Sequence, residues 1–481
     1  MGNDSTERNS IDLYINGERH RVRGEAIFSN VSDYLRRELG AVGTKVVCAE
    51  GDCGACSVLV GRPEPDQFNY VPINACIHQM HQLDQTHLIT VEGLSGAEGL
   101  NAVQEAMVRC HGAQCGFCTP GFVVAMTALC ETEQPLTDEA IRLALTGNLC
   151  RCTGYEPILK AAREVSSGSW PKLNIVYPPE PMLADLTGLS PAVRVECGGR
   201  IYFQPDRLAE ALRYKADHPD AVVIQGGTDL GVLCNKRGLV PPALLSVSRL
   251  PGFTNLREEG QQVVIGGAVR WHVLENYFRP RVPAFHQIIK WFGAPAIRYA
   301  GTLAGNIING SPIADSLPFL FVMEAEVEFS SLQGVRRVPI NRLYRGYKQL
   351  DRREDEILSA VYLPLPQEDD ILWLEKVSKR RDLDISTLAA GIRLQLAGSR
   401  IKTARIALGG VAETVIRLPE TEAFLREKEM SYETFLRAGE IARTEIKPLD
   451  DVRGSAEYRR QLAQNIFAKF YQENAHREVV A

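Results

Sequence analysis

The chain has 481 residues, room for about three or four domains, and its 45% hydrophobic and 23% charged residues are ordinary for a soluble globular protein. A net charge of −5 gives no basic excess for nucleic acid or an anionic membrane, and no apolar run of roughly eighteen residues offers a membrane span. The polar N-terminal stretch "MGNDSTERNSIDLYING" lacks a signal-peptide core and a twin arginine. Twelve cysteines without such a signal point to a reducing, cytoplasmic setting, where clustered thiols hold metals more often than disulfides.

In chain order, "DLYINGERHRV" alternates apolar and polar residues about an Asn-Gly pair and reads as a β-hairpin, and "VSDYLRREL" reads as a short helix. Then comes "CAEGDCGAC" and, nineteen residues on, the cysteine of "INACIHQM". Cys48, Cys53, Cys56 and Cys76 are thus spaced C-x4-C-x2-C with a distant fourth, the plant-type [2Fe–2S] ferredoxin spacing. Gly51 and Gly54 give the loop the backbone freedom to fold three thiolates inward. Hairpin, helix and loop together fit a ferredoxin-like half-barrel. A structural zinc site or four scattered thiols are the alternatives.

A second set follows. "QCGFCTPGF" supplies Cys115 and Cys118, and "LTGNLCRCTG" supplies Cys150 and Cys152 after 31 intervening residues. The last two stand one residue apart, so a disulfide between them would close a badly strained ring. "PGFVVAMTALCETE", with Pro120 in its first turn, "TDEAIRLAL", with Thr137 as N-cap, and "EPILKAAREV" read as helices, which puts these thiols on loops joining helix ends. Spacing alone leaves zinc open here too. Cys110, Cys130, Cys197 and Cys234 have no such pattern and read as buried thiols.

Residues 169–195, with five prolines, read as an extended linker. Beyond it, "AVVIQGGTDLGV" runs a β-branched strand, Ala221 to Ile224, into Gly226-Gly227 and Thr228-Asp229, a turn whose backbone N–H groups can cradle a diphosphate. Neither G-x-G-x-x-G nor a Walker A sequence occurs, which excludes Rossmann and P-loop readings. "YAGTLAGNIINGSPIADSLP" is rich in small residues, amides and hydroxyls suited to close approach of a sugar-like ligand. Taken singly, each of these two segments is also readable as a plain turn or surface loop. "IRLQLAG" and "IKTARIALGG" read as antiparallel strands, with helices after "PETEAFL" and toward "EYRRQLAQNIFAKF".

The paired motifs C-x4-C-x2-C and C-G-x-C-T-P-G with G-N-L-C-R-C-T-G-Y resemble the iron–sulfur domains of the molybdenum hydroxylases, a family that includes xanthine dehydrogenase, aldehyde oxidoreductases and carbon monoxide dehydrogenase. The resemblance makes both cysteine sets [2Fe–2S] sites. It extends through the glycine segments to a FAD-binding domain of the vanillyl-alcohol oxidase type. It implies that Val223, Ile224, Gln225, Gly226, Gly227, Thr228, Asp229 and Leu230, with Thr302 to Asn306, line the FAD diphosphate. By the same resemblance Asp315 contacts the flavin's sugar-like chain, Phe292 and Leu358 are its aromatic and apolar partners, and Lys376 is a flavin-proximal lysine. Where some animal members place an acid near the flavin ring, this chain aligns Leu383, with Arg380 and Arg381 beside it as sources of positive potential.

The expected architecture is a multidomain α+β protein: a ferredoxin-like β-grasp domain (1–91), a helical-bundle [2Fe–2S] domain (92–168), the linker (169–195), an α+β FAD-binding domain (196–368) and a C-terminal α+β flavoprotein domain (369–481). No molybdopterin segment is recognisable, so the resemblance implies the electron-transfer subunit of a two-chain enzyme of the xanthine dehydrogenase type. A partner subunit would carry the molybdopterin, NAD+ would be the co-substrate, and two copies of each subunit would assemble. The same wiring for an aldehyde, an N-heterocycle or an aromatic acyl-CoA is the alternative; a zinc-stapled scaffold without redox chemistry is the rival from another class.

Overall fold

The computed structural model describes residues 7–96, 99–132, 137–166 and 170–475. Residues 1–6 of the polar N-terminal stretch, and residue 169 at the start of the expected linker, lie outside them. The described residues form two compact units. One comprises the residues up to 214 with 218–251 and 294–301; the other comprises 215–217, 252–293 and the residues from 302 onward.

The first unit begins with the expected hairpin. Strands β1 (Ser10–Ile15) and β2 (Glu18–Arg23) pair antiparallel, closing at Ile15 opposite Glu18. Asn16 and Gly17 carry φ of 50° and 87° in the turn, the positive values a two-residue type I′ connection demands. With β3 (Ser57–Pro63), β4 (Phe68–Asn74) and β5 (His87–Ile89) they make a mixed sheet in the order β2-β1-β5-β3-β4. "VSDYLRREL" is helical, though its second half widens into a π turn over Tyr34–Glu38. Ile11, Leu13, Val31, Leu35, Val58 and Ile73 fill the core under this sheet.

Helices follow at Ala102–Arg109, Thr119–Glu131, Asp138–Ala144 and Glu156–Ser166. Each start has a local cause. Pro120 sits in the first turn of Thr119–Glu131, where its missing N–H costs nothing, and the Thr137 hydroxyl accepts the Ala140 N–H at 3.2 Å. Their apolar faces (Phe122, Val124, Met126, Ile158, Ala161) share one core with Tyr14, Leu59, Phe68 and Tyr70 from the ferredoxin-like sheet. The expected linker is not wholly extended. Leu173–Val176 and Pro179–Thr187 are short helices, the second begun by a proline at a position where proline favours a helix. A four-stranded sheet then runs in the order Val193–Cys197, Arg200–Gln204, Ala243–Ser246, Val222–Ile224. Val193, Tyr202, Ile224 and Leu244 from it join the ferredoxin-like core, which explains why residues up to 251 group with the iron–sulfur half.

The second unit holds a five-stranded sheet around Ile357–Pro364 and a four-stranded sheet in which Leu388–Ala397 and Arg400–Gly409 pair antiparallel, as their alternation suggested. Helices Pro419–Leu425, Tyr432–Glu445 and Ala456–Asn474 come after these strands, with Phe435, Ala438, Phe467 and Phe470 packed onto Ile392, Leu394 and Ile406. Among the described residues no helix is long and apolar enough to cross a membrane.

Candidate iron–sulfur and flavin sites

The first thiol set is assembled by a strand pair. Ser57 opposes Asn74 across β3 and β4, so Cys56 and Cys76, at or near those strand ends, come together, and the Ala75 N–H donates to the Cys56 carbonyl at 3.2 Å. Cys48 and Cys53 reach them from an irregular loop. Gly51 and Gly54 have φ of 82° and 66°, and a β-carbon at Gly54 would lie 2.4 Å from the Gly147 carbonyl oxygen. The thiol of Cys48 touches those of Cys53 and Cys76, and Cys56 touches Cys76. These contacts hold the Cys48 thiol well below the ordinary thiol range and push Cys76 up. Cys56 and Cys76 are buried, Cys48 and Cys53 half-buried, and none is in a disulfide.

The second set is more open. Cys115 and Cys152 are exposed, with their sulfurs 3.6 Å apart, while half-buried Cys118 and Cys150 touch each other. Burial, with the Cys150 contact second, pushes the Cys118 thiol up to about 12. Thr153 donates to the Cys150 sulfur from its hydroxyl at 3.2 Å and from its backbone N–H at 3.5 Å, and Tyr155 Oη accepts the Cys150 N–H at 3.0 Å. Around these thiols lie the exposed side chains of Phe117, Leu149 and Tyr155. The two sets are stitched together: Leu149 N–H donates to the Cys53 carbonyl at 3.0 Å, and Asn148 Nδ2 donates to the Gly54 carbonyl at 3.2 Å.

Among the described residues no group of three or more His, Cys, Asp or Glu side chains closes on a single metal-ion position. A [2Fe–2S] cluster spreads four thiolates over two irons, and the contacts Cys48–Cys53, Cys56–Cys76, Cys115–Cys152 and Cys118–Cys150 supply two pairs at each site. The donor sets fit that group.

The flavin segments lie in both units. In the first, strand Val222–Ile224 runs into Gln225, Gly226 and Gly227, and Gly227, with φ of 66°, starts the helix Thr228–Arg237 that contains Asp229 and Leu230. A β-carbon on Gly226 would stand 2.4 Å from the Ala300 carbonyl oxygen, and one on Gly227 would meet the Gln82 amide at 2.9 Å. Gln82 Nε2 donates to the Gln225 and Gly226 carbonyls at 3.2 and 3.0 Å, bracing the turn from the ferredoxin-like domain. The Gln225 side-chain oxygen is buried and has no hydrogen-bond partner among the described residues. An unanswered acceptor in a glycine turn fits a ligand that brings its own donor.

In the second unit the Thr302 hydroxyl accepts the Gly305 N–H at 3.0 Å at the start of helix Leu303–Asn309, and Asn306 Oδ1 accepts from Ser316 Oγ at 2.6 Å. Asp315 and Lys376 form a buried ion pair at 2.6 Å; Ser386 donates to the other Asp315 oxygen, and Lys376 Nζ also donates to the Trp291 carbonyl at 3.3 Å. Phe292 packs on Trp271 at 4.8 Å, and Leu358 is buried on strand Ile357–Pro364. Leu383 takes a φ of 55°, and Arg380 turns back onto Asp384 and the Leu383 carbonyl, which spends its charge inside the loop. The Asp315–Lys376 pairing and the Gln82 brace have no signal in the sequence, since their members are 61 and about 143 residues apart.

The sequence matches four domain families. Residues 13–81 match the 2Fe-2S iron-sulfur cluster binding domain, 90–163 the [2Fe-2S] binding domain, 194–366 the FAD binding domain in molybdopterin dehydrogenase, and 374–474 the CO dehydrogenase flavoprotein C-terminal domain. The chain belongs to the molybdenum hydroxylase family. It contains the iron–sulfur and flavin domains of that family. It is 30% identical over 95% of its length to xanthine dehydrogenase 1 of Arabidopsis thaliana and 28% identical over 95% to xanthine dehydrogenase/oxidase of Rattus norvegicus. It spans 39% and 38% of those relatives' own lengths. Among solved structures, a chain of CO dehydrogenase from Oligotropha carboxidovorans superposes with a TM-score of 0.53 at 27% identity, covering 56% of this chain and 94% of its own. One of quinoline 2-oxidoreductase from Pseudomonas putida 86 does so with a TM-score of 0.53 at 26% identity, covering 57% and 96%.

Proposed function

We propose that this chain is the electron-transfer component of a xanthine dehydrogenase, oxidising hypoxanthine and xanthine together with a molybdopterin-bearing partner subunit and delivering the electrons to NAD+. Bound [2Fe–2S] centres exchange single electrons and a bound flavin exchanges pairs, which is the chemistry the groups supply. The observation that carries the reading is the order of sites within the first unit. The second thiol set has two exposed members, Cys115 and Cys152, and exposed Phe117, Leu149 and Tyr155 stand beside its cysteines in the chain, a surface suited to a partner. It is joined to the first set by the Leu149–Cys53 backbone hydrogen bond. The first set is backed by helix Thr228–Arg237, whose opening turn is the glycine cradle.

In this reading the eight cysteines hold the clusters; of the segments that the resemblance gives to the flavin nucleotide, Val223 to Leu230 belong to the first unit and Thr302 to Asn306 to the second. Lys376 is held by Asp315 as a fixed positive charge beside the flavin, while Phe292 and Leu358 give it apolar walls. The proposed domains are 1–91, 92–168, 196–368 and 369–481, joined by 169–195, and the proposed assembly has two copies of each subunit. Identity to xanthine dehydrogenases over 95% of this chain supports that substrate. Shared structure with CO dehydrogenase and quinoline 2-oxidoreductase chains favours the second reading, the same role for another small substrate. Copurification with the partner, followed by anaerobic addition of hypoxanthine, xanthine, an aldehyde and quinoline, tests both. NADH formation with the purines alone supports the first, and turnover of only another substrate replaces it.

A further inference from the structure

The ligands of the first cluster come from two chain segments, the Cys48–Cys56 loop and the turn at Cys76. One side chain outside the ferredoxin-like domain touches both. Asn235, near the end of helix Thr228–Arg237, donates from Nδ2 to the Cys76 carbonyl at 2.7 Å and to the Ala49 carbonyl at 2.9 Å. A side-chain amide nitrogen has two N–H groups, so both are spent, one on each segment. Its oxygen is spoken for as well, accepting from Asn30 Nδ2 at 2.8 Å. The helix is seated tightly enough to aim this amide: a β-carbon at Gly231, one turn earlier, would lie 2.1 Å from the Ile77 carbonyl oxygen. Ala49 needs such support, because its φ of 54° is uncommon for a residue with a β-carbon.

We propose that Asn235 is a positioning residue of the first [2Fe–2S] site. Its single amide ties the backbone beside Cys48 to the backbone of Cys76, and so fixes the spacing of two thiols that touch each other. The ligands lie within residues 48–76, yet their geometry is set by a helix more than 150 residues away in sequence, the same helix that opens on the glycine cradle. Hydrogen bonds that orient ligands in this way change metal-site affinity by roughly 10–100-fold.

The test uses the full chain with both clusters loaded, and the second cluster as internal reference. Asn235→Asp keeps the shape but replaces both N–H donors by an acceptor facing two carbonyls. Asn235→Gln keeps the donors on a longer stem. The readouts are the two electron paramagnetic resonance signals of the reduced protein and their decay in excess iron chelator. In Asn235→Asp the first signal should shift and decay at least about ten-fold faster while the second keeps its wild-type lineshape and lifetime, with Asn235→Gln in between. A first signal of unchanged lineshape and lifetime in Asn235→Asp overturns the proposal. So does parallel loss of both signals, or an Asn235→Gln variant no better than Asn235→Asp.

Discussion

His87 on β5 is fully buried, and its two ring nitrogens are committed in opposite senses. Nε2 accepts the Gly17 N–H at 3.1 Å, so Nδ1 carries the proton and donates it to Tyr70 Oη at 2.7 Å. The rings of Tyr177, Phe68 and Tyr70 crowd it edge-on at 5.0 to 5.7 Å. Burial pushes its pKa from 6.5 down to about 4. A lowered histidine pKa means that the unfolded chain gains a proton the folded chain refuses. The contribution is therefore intact above pH 6.5 and is lost as pH falls toward 4. One pKa unit is worth about 1.4 kcal/mol, so the domain should be on the order of 2 kcal/mol less stable at pH 5 than at pH 7 from this residue alone. Protonation at Nε2 would also break the bond that closes the Asn16–Gly17 turn. The assay is urea unfolding followed by tyrosine fluorescence across this range, for the wild type and for His87→Leu. The variant should start less stable at pH 7, having lost two hydrogen bonds, but show a pH slope shallower by about that 2 kcal/mol. Equal slopes for the two proteins would mean that His87 does not set this pH dependence.

Three further outcomes are expected. Cys150→Ser should damage one of the two paramagnetic signals and leave the one belonging to Cys48, Cys53, Cys56 and Cys76; loss of neither would contradict the ligand sets. Gly227→Val places a β-branched residue at a φ of 66° and drives it into Gln82, so FAD retention should fall by about ten-fold or more with both clusters present; full flavin occupancy counts against the cradle. Phe117→Asp together with Tyr155→Asp puts charge on the exposed apolar rim of the second thiol set and should weaken partner binding by about ten-fold or more, read by analytical ultracentrifugation; unchanged association removes this face as the docking surface.

What the sequence reveals of this molecule is what is local in it. The Asn-Gly turn and the Pro120 and Thr137 helix starts are each decided within a few residues, and the structure keeps them. The proline-rich stretch 169–195 was harder, because proline both interrupts and initiates helices, and here Pro179 initiates one. The widening of the Tyr34–Glu38 turn leaves no trace in side-chain periodicity. The side chains that brace the sites were invisible for a different reason. Gln82, Asn235 and the Asp315–Lys376 pair act on groups 61 to about 186 residues away, and only the folded chain brings them there.

The proposed function divides the labour, with purine oxidation on the partner and electron delivery here. The most direct measurement is steady-state reduction of an artificial dye by the isolated, cofactor-loaded chain, with NADH and separately with xanthine as donor. NADH should drive FAD-dependent dye reduction and xanthine should drive none. Xanthine-driven turnover by this chain without a molybdenum subunit would contradict the division, and a flavin-replete chain inert to NADH would remove NAD+ as its acceptor.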